Sequence, residues 1–169
     1  VEKTKWGVPR EETSQEKANA YRERYKKGIE RDQERCIGSY VFLWGQKQET
    51  TPTWYGLFLE DGTETEVMDV LQEIWQGEKP DNRAPQLLSM QMNGKAPEAS
   101  VQVQAGATCT IDVEVREPDG EAMKYRWELL PESTDIKSGG DRESRPEPVS
   151  FKTQSDEGGK LAFKAPKKR

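Results

Sequence analysis

Two tryptophans, Trp44 and Trp54, bracket a polar cluster made of Gln46, Lys47, Gln48 and Glu49. An indole stacks on the apolar face of a sugar ring while amide, ammonium and carboxylate groups take its hydroxyls. On this reading Trp44 is a stacking floor, Trp54 a second wall, and the four polar residues are substrate contacts. The plainer alternative is that both indoles pack in a core. Hydrolysis of a glycosidic bond needs two carboxylates at a set separation across the substrate. Glu49 is the only one in this loop, so no catalytic residue is assigned. With no histidine in the chain, a His-based triad, a His general base and a His-ligated metal are excluded within it. Cys36 and Cys109 fit no metal-ligand spacing and read as free thiols. Asp112, Asp119 and Glu121, around a Pro-Asp-Gly turn, give a weak calcium signal, and no metal or cofactor is expected.

The elements that must position this cluster lie on either side of it. Ile37 and the run Tyr40, Val41, Phe42, Leu43 and Trp44 read as a strand buried on both faces, as in a parallel sheet, opening at its carboxyl end into a ligand cleft. Upstream, Thr13 and Glu16 have capping-box spacing, and Ala18, Tyr21, Tyr25 and Ile29 then recur along one helical face. Downstream, Thr63 and Glu66 repeat the box. Val67, Val70, Leu71, Ile74 and Trp75 follow at helical spacing, and Gly77 stands where a left-handed cap would end the helix. The order helix, buried strand, loop, helix is that of an α/β unit.

These residues carry a resemblance. Trp6-Gly7, Pro9, Glu16-Lys17-Ala18, Tyr21, Arg24-Tyr25, the run over residues 38–54 and Asn82-Arg83-Ala84-Pro85 resemble the end of a glycoside-hydrolase-type (β/α)8 barrel. They are similar to secreted barrel proteins of the Bacteroidetes type, in which an immunoglobulin-like module follows the barrel. The resemblance implies a multi-domain α/β plus all-β chain in which residues 1–78 are the last barrel strand with its flanking helices. It also implies a carbohydrate substrate, a periplasmic or extracellular location, and catalytic carboxylates and remaining barrel strands upstream of Val1. The alternative is a non-catalytic carbohydrate-binding or adhesion and spacer protein.

Residues 79–85 carry two prolines and almost no apolar content, and read as a linker. Beyond them the hydrophobic period becomes two. Val101 and Val103 alternate, then Cys109, Ile111, Val113 and Val115, then Tyr125, Trp127 and Leu129. The turn at Pro118-Asp119-Gly120 followed by Tyr125-Arg126-Trp127-Glu128 resembles PKD-type immunoglobulin-like domains. Residues 86–169 are therefore expected to form an immunoglobulin-like β-sandwich, short of its last strands, with Trp127 in its core and a long polar loop over residues 133–148.

Only 32% of the 169 residues are hydrophobic against 34% charged, which is thin for two independent cores. The net charge of −5, with both signs interspersed, argues against non-specific nucleic-acid binding. No apolar run reaches the length of a membrane span.

Overall fold

The structure, a computed structural model, describes residues 2–167. Helix α1 (Ser14–Gly28) starts with the expected box: the Thr13 hydroxyl accepts the Glu16 amide at 3.2 Å and the Glu16 carboxylate accepts the Thr13 amide at 2.8 Å. Helix α2 (Glu66–Gln76) ends on Gly77 at φ 82°, whose amide donates to the Glu73 carbonyl at 2.9 Å. Its start differs from the expectation. Thr65 is the N-cap, and its hydroxyl donates to the Leu57 carbonyl at 2.9 Å, so no box forms between Thr63 and Glu66. The two helices pack on each other around Ala18, Leu57, Val67, Val70 and Leu71, and Arg22 crosses to Glu73 at 2.8 Å.

The barrel-type α/β assignment is corrected by the segment between the helices. Residues 37–44 form no strand and pair with none, and Ile37, Tyr40, Phe42 and Trp44 are exposed while Val41 and Leu43 are half-buried. An uncharged apolar run reads as buried on both faces, but the same run serves a surface segment that hides only alternate residues. No parallel sheet is present among the described residues; α1 and α2 build their core against each other and against residues 57–58.

The second half is one antiparallel sheet of four strands in the order β1-β2-β4-β3, made of β1 (Gln86–Met92), β2 (Thr108–Arg116), β3 (Lys152–Glu157) and β4 (Lys160–Lys164). The alternation in β2 is as read, with Cys109 and Ile111 turned toward the core. β1 follows the proline-rich stretch directly. Its Leu87, Leu88, Met90 and Met92 alternate only loosely, so its pattern was not legible as a strand. The expected sandwich is corrected too. Val101, Val103 and residues 125–129 enter no ladder, and Trp127, Leu129 and Phe151 instead lie against the Cys109, Leu161, Phe163 and Ala165 cluster where a second sheet would stand. Trp127 is half-buried, stacks on Tyr125 at 6.4 Å and donates from its indole nitrogen to Asp156 at 3.0 Å. That polar tether explains why it sits at the rim of the core.

The halves keep separate cores but are joined by polar contacts. Trp6 donates to Glu132 at 2.8 Å and Arg145 reaches Glu60 at 3.2 Å, while Arg83 of the connecting stretch forks onto Asp119 and holds its carboxyl below the ordinary range. Among the described residues no helix is long and apolar enough to cross a membrane.

Candidate functional site

Three of the four polar residues flanked by the indoles are engaged within the protein. Gln46 donates to the Pro52 carbonyl at 3.0 Å, and Lys47 pairs with Glu49 at 3.0 Å and donates to the Gly140 carbonyl. Gln48 is buried, with neither atom of its amide partnered. Thr50, in the left-handed region at φ 63°, donates its amide to Glu143 at 2.6 Å. Glu143 is itself buried and accepts the Lys137 amide at 3.0 Å. The loop is thus clasped by residues 137–143 of the other half. This was not foreseeable from spacing, because Glu143 lies in a stretch whose composition reads as mobile loop.

Trp44 is separate from Trp54. Its indole is half-exposed, edge-on to Phe58 at 5.6 Å and stacked on Trp75 of α2 at 6.3 Å. Trp54 lines a cleft of about 630 Å³, a volume in the range of small-molecule sites. Helix α1 presents Lys17, Tyr21 and Arg24 to this cleft, residues spaced to share one face. The segment before the helix adds Arg10, Glu11 and Glu12, and the opposite wall is Phe42, Trp54, Tyr55 and Leu57. Trp54 stands edge-on to Tyr55 at 6.4 Å, and Tyr55 meets Phe42 at 5.0 Å.

The wall is set by a close backbone approach at Gly56, where a Cβ would lie 3.1 Å from the Phe58 carbonyl oxygen and 3.4 Å from that of Gly45. Leu57 donates to the same Gly45 carbonyl at 3.0 Å, so the main chain that follows Tyr55 is pinned against Gly45. Lys17 binds Glu11 and the Thr53 carbonyl, the latter at 2.6 Å, and the Thr53 hydroxyl donates to Glu11 at 2.7 Å. A second hollow of about 280 Å³ shares Glu11, Glu12, Lys17 and Gly56 and extends the groove toward Thr13 and Thr65. Burial pushes the Tyr21 hydroxyl upward, with Arg24 acting against it.

Of the six residues read from the sequence, only Trp54 lines this groove. Glu11, Lys17 and Tyr21 were missed as site residues, although the shared face of Lys17 and Tyr21 on a capped helix was a usable signal. Of the acidic groups considered for calcium, Asp119 is committed to Arg83 and Asp112 lies 3.3 Å from Lys160. Among the described residues no three metal-ligating side chains gather. A scan against protein-family models gave no match, and a search of curated proteins gave none either.

Proposed function

We propose that this chain binds carbohydrate in the groove beside Trp54, as the sugar-contacting part of a secreted glycoside-hydrolase-like protein, without supplying the catalytic carboxylate pair itself. The observation that carries this reading is the composition of the groove: indole and phenol rings face a fixed array of ammonium, carboxylate and hydroxyl groups. A sugar presents CH faces for the rings and hydroxyls that both donate and accept, so it satisfies both kinds of wall at once. Glu11 already accepts from Lys17 and Thr53, which holds its carboxylate in place to orient a sugar hydroxyl. The second half is the weaker candidate for binding, since Trp127 and Phe151 pack on its core cluster. A periplasmic or extracellular location follows from the same proposal and from the sequence resemblance.

The test is calorimetric titration of the whole chain with a panel of neutral oligosaccharides. Trp54→Ala is expected to weaken binding by about tenfold or more, the loss of one stacked ring. Trp44→Ala, outside the groove, is expected to leave affinity unchanged. Binding lost equally in both variants, or no oligosaccharide bound by the wild type, would reject the groove as the site.

A further inference from the structure

We infer that the sugar this groove takes is acidic, a hexuronic acid whose carboxylate is held by the Arg24 guanidinium with the Tyr21 hydroxyl beside it, an inference that rests on the carbohydrate reading of the groove. The other cations lining the larger hollow are already matched. Arg10 pairs with Glu2 at 3.3 Å and with Glu98, and Lys17 pairs with Glu11. Arg22, two residues before Arg24 on α1, is committed to Glu73. Among the described residues no ion pair or side-chain hydrogen bond engages Arg24 itself, which leaves its guanidinium fork open toward the hollow it lines.

Tyr21 supplies a second donor. Its ring packs against the helical core, and its hydroxyl makes no hydrogen bond among the described residues yet is not sealed from solvent. Tyr21 and Arg24 are three residues apart on α1, neighbours on its surface, and the Tyr21 hydroxyl feels the guanidinium charge. A neutral sugar offers this pair hydroxyls alone. A carboxylate accepts from the fork and from the phenol together, in charge-assisted bonds stronger than neutral ones. Phe42, Trp54 and Tyr55 take the CH face of the same sugar.

The acidic side chains of the groove do not cancel this charge. Glu2 and Glu11 are committed to Arg10 and Lys17. Glu12, unpaired among the described residues, lines both hollows, whereas Tyr21, Arg24 and Phe42 line only the larger one. Glu12 precedes α1 and Arg24 lies well along it, a separation of about 15 Å on the helix axis. That exceeds the screening length of about 8 Å at physiological salt.

Calorimetric titration of the whole chain with oligomers of glucuronic, galacturonic and mannuronic acid, each beside its methyl ester, tests this. The ester keeps the ring faces and hydroxyls and removes the charge. At least one free acid is expected to bind about fivefold tighter than its ester, the upper end of what an exposed ion pair supplies, and the advantage should shrink as salt rises. Arg24→Gln is expected to erase the advantage with circular dichroism unchanged, because the side chain is exposed and unpaired among the described residues. Trp54→Ala should weaken acid and ester alike. Esters bound as tightly as acids in a Trp54-dependent way, or an advantage that survives Arg24→Gln, would overturn the inference and leave the groove reading standing. No oligosaccharide of either kind bound would overturn both.

Discussion

Glu66 opens α2 with its carboxylate buried and both oxygens unpartnered. Burial first, and Asp69 second, push it up to about 7, with Arg116 pulling the other way. The folded state therefore holds a proton that the unfolded chain releases near the ordinary value of 4.5. The stability linked to this group is complete below that value and is lost as pH rises through about 7. Glu66→Gln should flatten the decline and stabilise the protein near neutral to mildly alkaline pH by on the order of 3 kcal/mol. Urea midpoints measured across roughly pH 4 to 8 check it. Some slope should survive at the acid end, because burial also raises Asp69 while the Ala84 amide acts against that shift. A wild-type profile that stays flat would show the carboxylate to be solvated. The residue was legible only as half of a capping box; nothing in Thr63-Glu64-Thr65-Glu66 tells which carboxylate turns inward.

Among the elements, the β3–β4 hairpin isolates one steric demand. Gly158 and Gly159 both have positive φ, at 55° and 87°, but only Gly159 is crowded. A Cβ there would lie 3.0 Å from the Val113 carbonyl oxygen and 3.2 Å from the Tyr125 ring. At Gly158 it would meet open space. Gly158→Ala should cost about 1 kcal/mol, the backbone preference alone. Gly159→Ala should cost several-fold more, on the order of 3 kcal/mol, because Val113 is fixed in β2 and cannot move aside. Thermal melts of the two variants compare them directly, and equal losses would mean that the turn relaxes away from β2. Both helices were readable because a 3.6-residue stripe with caps is local information. The segment over residues 37–44 was not, since burial on one face or two depends on neighbours that a single run does not contain.

Across the whole molecule, Glu143 does most to tie the halves near the polar loop, its carboxylate accepting the amides of both Thr50 and Lys137. Glu143→Ala leaves two main-chain donors without their acceptor in a half-buried place, at a cost of roughly 1–3 kcal/mol. Hydrogen exchange should then quicken at Thr50 and Lys137. Amides of the sheet around Cys109 should follow global stability only, because the two cores are separate. Unchanged exchange at Thr50 would show that its left-handed turn holds without the clasp.

By itself the sequence determined α1 with its capping box, the amphipathic stripe and glycine stop of α2, the inward row of β2, and the change of period that divides helical from sheet-forming chain. All of these rest on spacings within about a dozen residues. Tertiary structure alone decided the rest: that Trp44 and Trp54 belong to different surfaces, that Glu143 consumes the loop between them, and that Glu11, Lys17 and Tyr21 join Trp54 in one groove. It also decided that residues 125–129 cover a single sheet in place of a second one. Each of these depends on contacts across tens of residues, and residue type fixes what a side chain can bond without fixing which distant partner reaches it first.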